Sequence, residues 1–187
     1  DRLHLIPRLS RAEPITFSNI KSRVKDIPEV AWNNTQNLLN SNRASSSSSV
    51  DLEILVGPNT KLYFKDNKKA FTEAITLWAN VKQPTKYFAF FYSFRDKSWA
   101  ELEYKKLSFY KPGMEIMMGG PCHGKNCSGA NSGIEEFSSV GVGVFGIHSP
   151  DRKDPYRKGP LQIHEYTHAV QMAPWIGKDH PGNEQQK

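Results

Sequence analysis

The sequence predicts an α+β domain built around a small mixed sheet. Three short segments are rich in β-branched or aromatic residues and are bounded by turn residues, as strands are. Two longer segments repeat apolar residues at steps of three and four, as helices do. The strand-like segments are residues 51–56, 87–94 and 140–147, and the helical segments are residues 66–81 and 160–172. We therefore expect the two helices to flank the sheet.

The length and composition are those of a globular chain. The 187 residues fit one domain, or one domain with a tail. Hydrophobic residues make up 37% of the chain and aromatic residues 11%, while a mean hydropathy of -0.61 indicates that much of the chain contacts water. No apolar run approaches the roughly 18 residues of a membrane-spanning helix. The sequence therefore predicts no transmembrane segment.

The net charge of +6 would favour an anionic partner, but its distribution does not. Basic residues alternate with acidic ones, as in residues 65–69 and 151–154, and no nucleic-acid-binding motif is present. We therefore expect a solvated charged surface and no nucleic-acid partner.

The first fifty residues differ in composition from the rest. A run of serines at residues 45–49 is typical of a flexible linker, and residues 20–24 and 30–39 are predicted to form short helices before it. We therefore divide the chain into an N-terminal extension with its linker, residues 1–49, and a main domain, residues 50–187.

Residues 111–133 are rich in glycine and proline and are predicted to form a long loop. Cys122 and Cys127 lie in this loop, and their close spacing fits either a small disulfide or two free thiols. A disulfide would favour a secreted or cell-envelope protein. A second metal site that also includes His123 and His148 is a weaker alternative, because Cys-x4-Cys is not a common ligand spacing.

The strongest chemical signal is the pentad at residues 164–168, which reads His-Glu-Tyr-Thr-His. A helix over residues 160–172 would place His164 and His168 one turn apart, so both imidazoles would reach one metal ion. Glu165 lies about 100° further round the helix, where its carboxylate would reach a water bound to that metal. The spacing predicts two metal ligands and a general base.

Zinc suits such a site because it accepts imidazole ligands, keeps an open position for water and lowers the pKa of that water. Glu165 would then accept a proton from the water and deliver it to the leaving group. A catalytic zinc normally has a third protein ligand, and the residues after the helix offer only Asp179, His180 and Glu184.

The pentad resembles the active-site helix of the zincin metallopeptidases, and the resemblance covers roughly residues 140–172. It implies a Zn²⁺ cofactor and a peptide or protein substrate. It also implies that the strand before the helix is an edge strand that binds extended substrate, with Val142 and Val144 as contacts. The metzincin branch requires Gly and His where this chain has Gln171 and Pro174, so the gluzincin branch is closer.

Gluzincins take their third ligand from a glutamate on a second helix, about twenty residues beyond the pentad. Only Glu184 lies near that distance, and residues 179–183 are loop-like. Either Glu184 or Asp179 ligates zinc from an irregular segment, or the sequence is a fragment that lacks a C-terminal subdomain, which we favour.

Two functions follow from these observations. The first is a zinc-dependent peptidase, endopeptidase or aminopeptidase, with Glu165 as its general base. The alternative is a noncatalytic binding or cell-envelope module that retains a degenerate zincin fold, and the missing third ligand is the reason to consider it. Specificity and oligomeric state leave no mark in the sequence.

Overall fold

The computed structural model describes residues 14–45, 49–135, 139–148 and 159–176. The chain divides into two compact units, Asp1–Ser45 and Ser46–Lys187. In the first unit a short 3₁₀ turn leads into one continuous helix, α1 (Ile27–Ser45). This helix includes the predicted segment 30–39, whereas residues 20–23 form turns rather than a helix.

The second unit contains six strands and three α-helices among its described residues. In chain order they are β1 (Asp51–Val56), α2 (Asn67–Leu77), β2 (Lys86–Tyr92), α3 (Lys97–Lys105), β3 (Cys122–His123), β4 (Asn126–Cys127), β5 (Ala130–Ile134), β6 (Val140–Gly146) and α4 (Pro160–Met172). The prediction of an α+β fold with a small mixed sheet is confirmed. α2 ends at Leu77 rather than at residue 81, because residues 78–81 form turns and a bend.

The main sheet has the strand order β1-β2-β6-β5. β1, β2 and β6 are parallel, and β5 runs antiparallel to β6 at one edge. The expectation that residues 140–147 form an edge strand is wrong, since β6 is paired on both sides.

The glycine-rich segment at residues 111–133 is not the unbroken loop that its composition predicts. It contains a 3₁₀ helix (Met114–Gly119), the β3–β4 hairpin and most of β5. Cys122 and Cys127 face each other across the hairpin and form a disulfide with an S–S distance of 2.02 Å.

Helices α2 and α4 cover one face of the sheet. Alternate residues of β2 and β6 point toward them, as the two-residue period of a strand requires. The buried residues of this layer are Phe71, Ala74, Ile75, Tyr87, Ala89, Phe91, Phe145, Tyr166, Ala169 and Val170. Burial of these large apolar side chains fixes α4 against the sheet.

Helix α3 and the 3₁₀ helix cover the other face. The intervening residues of β2 and β6 point this way and pack with the disulfide, and the buried set is Phe88, Phe90, Tyr92, Ala100, Tyr104, Met118, Cys122, Cys127, Val142 and Val144. Within the described residues, no helix has the length and apolar character needed to cross a membrane.

Candidate metal centre

The pentad lies in the middle of α4, whose bounds are those that the sequence predicts. The helix begins at Pro160, where a missing N–H leaves no hydrogen bond unmade. Gly159 precedes it with φ +117, a backbone conformation that residues other than glycine rarely adopt. The Gly159 N–H donates to Gln162 Oε1 at 3.1 Å. Local sequence therefore fixes where the helix starts.

Two side-chain hydrogen bonds attach α4 to the neighbourhood of α2. Near the start of both helices, Gln162 Nε2 donates to Asn67 Oδ1 at 2.7 Å, and both side chains are buried. Beyond the end of α2, Trp78 Nε1 donates to Thr167 Oγ1, inside the pentad, at 3.1 Å. These contacts set the height and rotation of α4, and hence the direction in which its histidines point.

Tyr166, at the centre of the pentad, faces the core and is fully buried. Its ring packs edge-on against Tyr87 of β2, with centroids 5.0 Å apart, and its hydroxyl donates to Gln83 Oε1 at 2.6 Å. Because Tyr166 points inward, the two histidines, two residues away on either side, point outward.

His164 and His168 are exposed, and their Nε2 atoms lie 3.1 Å apart. The ring planes are nearly perpendicular, at 88°, with centroids 4.8 Å apart. Two imidazole ligands of a tetrahedral zinc, with bonds of about 2.0–2.1 Å, have nitrogens about 3.3 Å apart. The pair therefore fits two positions of one zinc ion.

The same separation also fits an N–H···N hydrogen bond between the two rings. A proton on either nitrogen and a metal ion between them exclude each other, because a ligating nitrogen must offer its lone pair. A metal ion at this pair would therefore compete with a proton.

The Glu165 side chain is next to the histidine pair but is largely buried, with 6% of the residue exposed. Burial raises the pKa of the Glu165 carboxyl, and the nearby His164 and His168 oppose this shift. A carboxylate that holds a proton more readily than a free glutamate is suited to general acid and base chemistry.

The proposed third ligands Asp179, His180 and Glu184 lie outside the described residues. Within the part of the chain that is described, no three His, Cys, Asp or Glu side chains are grouped to hold a metal ion. The structure thus brings together His164 and His168 with Glu165.

Val142 and Val144 do not lie beside the histidine pair. They are 3% and 0% exposed, and they belong to the layer that faces α3. Their backbone groups are engaged by β2 on one side and β5 on the other. The expected role of these valines in binding extended substrate therefore does not agree with the structure, because an interior strand has no free edge.

The edge strands of this sheet are β1 and β5, and the one beside α4 is β5, most of which the sequence predicts to be a loop. It packs directly on α4. A Cβ added at Gly133 would lie 3.5 Å from Met172 Sδ, in the last turn of that helix. The β5 sequence, Ala-Asn-Ser-Gly-Ile, has no apolar alternation, so composition gave no signal for a strand.

The chain has no significant match to a protein-family model, a curated protein or a solved structure.

Proposed function

We propose that this protein is a zinc-dependent peptidase of the zincin type, closer to the gluzincins than to the metzincins. His164 and His168 would hold the zinc with a third ligand for which Glu184 is the sequence candidate, and Glu165 would be the general base. The observation that carries the proposal is the 3.1 Å separation of the two Nε2 atoms on an exposed helix face beside a buried carboxyl.

Zinc, when bound, supplies a Lewis acid for the scissile carbonyl and a water of lowered pKa. The Glu165 carboxylate accepts a proton from the attacking water and later gives it to the leaving amine. Its burial favours the protonated form between these two transfers. The exposure of both histidines leaves the same face open to solvent and substrate.

A peptide is favoured over other substrates because β5 lies at the sheet edge beside α4. In zincins an edge strand pairs with extended substrate. In this protein we assign that role to β5, because β6 is an interior strand. An edge strand presents a row of N–H and C=O groups, which an extended peptide can pair with irrespective of its side chains. Ala130–Ile134 is therefore the proposed docking strand.

The test combines metal content with hydrolysis of an unfolded protein by the purified full-length protein. We expect about one zinc per chain and hydrolysis that a chelator abolishes. Glu165→Gln should keep the zinc and lose at least about 100-fold in rate, since it removes the base but not the ligands. Glu73→Gln, on the exposed face of α2, is the matched control and should leave both unchanged.

A wild-type protein without zinc, or a Glu165→Gln variant with the wild-type rate, would contradict the peptidase. If the protein also fails to hydrolyse any unfolded substrate, the noncatalytic binding or cell-envelope module becomes the better account.

A further inference from the structure

One histidine of the pair has a side-chain partner that the zinc proposal does not use. Gln171, in the last turn of α4, is three residues after His168, and its Oε1 lies 3.2 Å from His168 Nδ1. The other nitrogen of the same ring, Nε2, is the atom that faces His164. Both nitrogens of His168 are thus engaged, one by an amide oxygen and the other by its partner histidine.

The contact with Gln171 determines which nitrogen of a neutral His168 carries the proton. An amide oxygen only accepts hydrogen bonds, so Nδ1 must donate and must hold the proton. A neutral imidazole has one N–H, and Nε2 is then left with a free lone pair. That lone pair faces His164 Nε2 at 3.1 Å and accepts its proton in the metal-free protein, so only the His164 proton must move before a metal can bind the pair.

We propose that Gln171 is a positioning residue of the metal centre. Its amide oxygen holds His168 in the Nδ1–H tautomer and fixes the ring orientation, so that Nε2 is presented as a ligand before the metal arrives. The effect of Gln171 on zinc affinity rests on the proposed zinc site. The tautomer of His168 is a property of the metal-free protein. Ligating histidines commonly donate their second N–H to such an outer partner.

A purely structural role does not account for Gln171. Its side chain is exposed, so its removal opens no cavity in the core. Without this acceptor, His168 would be free to carry its own proton on Nε2, and that nitrogen would then offer no lone pair to a metal. Replacing Gln171 should therefore change the zinc affinity rather than the free energy of unfolding.

The experiment measures zinc affinity and histidine tautomers in four proteins: wild type, Gln171→Leu, Gln171→Glu and Gln36→Leu. Leucine removes the acceptor, and glutamate keeps it. Gln36→Leu makes the same change on helix α1 of the other unit and serves as the control. Zinc affinity is read by competition with a chromogenic chelator, and the tautomers by ¹⁵N NMR of the zinc-free proteins.

We expect Gln171→Leu to weaken zinc binding about 10- to 100-fold and to move the His168 proton toward Nε2. Gln171→Glu should retain the Nδ1–H tautomer and bind zinc at least as tightly as wild type, and Gln36→Leu should match wild type. If Gln171→Leu keeps both the wild-type affinity and the Nδ1–H tautomer, the positioning role is wrong although the zinc site stands. A wild-type protein that binds no zinc overturns the peptidase proposal, and with it any effect of Gln171 on a metal.

Discussion

The hydroxyl of Tyr87 in β2 occupies the space that a side chain at Gly143 in β6 would need. The ring also crosses Gly141, where an added Cβ would lie 2.6 Å from Tyr87 Cδ2. Beyond the glycines, the Tyr87 hydroxyl hydrogen-bonds Ser132 Oγ of β5 at 2.8 Å. The Tyr87 side chain thus passes over the glycines of β6 and connects β2 to the edge strand β5. It lies in the layer that also holds Tyr166 of α4.

Gly143→Ala should destabilise the fold by about 1–3 kcal/mol, because the new methyl group overlaps a buried ring that has no free space to enter. A urea denaturation curve would show a lower midpoint with an unchanged slope. Gly120→Ala is the matched control, since its φ of -58 suits alanine and the nearest neighbouring atom to its Cβ is Met117 O at 3.6 Å. An equal midpoint for the two variants would contradict the packing argument.

The Tyr87 hydroxyl is the atom nearest to an added Cβ at Gly143, ahead of Tyr87 Cζ and Phe145 Cε2 at 2.9 Å, so a second change should relieve part of the overlap. Tyr87→Phe removes the hydroxyl that an added Cβ meets first, at the cost of the bond to Ser132. We expect the double variant with Gly143→Ala to be more stable than the sum of the two single effects predicts, by roughly 0.5–3 kcal/mol in a double-mutant cycle. Additive effects would show that the hydroxyl is not the obstacle.

The buried contact between Gln162 and Asn67 should couple the stability of the fold to the position of the histidines. Gln162→Leu removes the partner of Asn67 Oδ1 and of the Gly159 N–H, and leaving a buried polar group unpaired costs about 1–3 kcal/mol. The urea midpoint would fall, and zinc affinity should fall with it since the start of α4 loses its attachment. Gln36→Leu on α1 controls for the substitution itself, and a Gln162→Leu protein as stable as this control would be inconsistent with the contact.

Glu115 should stabilise the protein above acidic pH. Tyr110 donates to its carboxylate at 2.7 Å, backbone N–H groups and Lys105 also contact it, and together they lower the pKa of Glu115 from 4.5 to about 2. A carboxyl whose pKa is lower in the folded state contributes stability above the unfolded pKa and loses it as the pH falls. The contribution is therefore complete above about pH 4.5 and disappears toward pH 2.

Glu115→Gln should accordingly be less stable than wild type at neutral pH, and the two should converge as the pH falls from about 4.5 to 2. Thermal unfolding followed by circular dichroism across this range measures the difference. Glu73→Gln serves as the exposed control. A gap between wild type and Glu115→Gln that stays constant with pH would indicate that the effect is not ionic.

The sequence predicted the elements whose pattern comes from burial. β1, β2, β6 and α4 were found because a two-residue or 3.6-residue period reports which faces are apolar, and the α4 bounds agree because proline and glycine mark its start. β5 was missed because an edge strand of small and polar residues has no such period. The strand order could not be predicted from these patterns either, because it depends on pairing between segments distant in the chain.

The site was predictable to the extent that helix geometry determines it. The four-residue spacing alone brings His164 and His168 together, and Glu165 follows from its place in the pentad. The burial of Glu165 and the outward direction of the histidines depend instead on Tyr166 packing on Tyr87, a contact between residues 79 positions apart. In the sequence, Gln171 marks only a departure from the metzincin pattern, because its contact with His168 depends on side-chain conformation.

The histidine pair gives a final prediction that needs no substrate. Zinc that binds only the folded state should raise its stability by about 2.7 kcal/mol at a concentration 100 times the dissociation constant, which corresponds to roughly 5–10 °C in melting temperature. His164→Ala and His168→Ala should each abolish this shift, because each removes one of the two nitrogens that lie 3.1 Å apart. His123→Ala, on the exposed tip of the β3–β4 hairpin, makes the same substitution away from the pair and should keep the full shift. Differential scanning calorimetry with and without zinc measures it, and an equal zinc shift in all three variants would place the metal elsewhere on the chain.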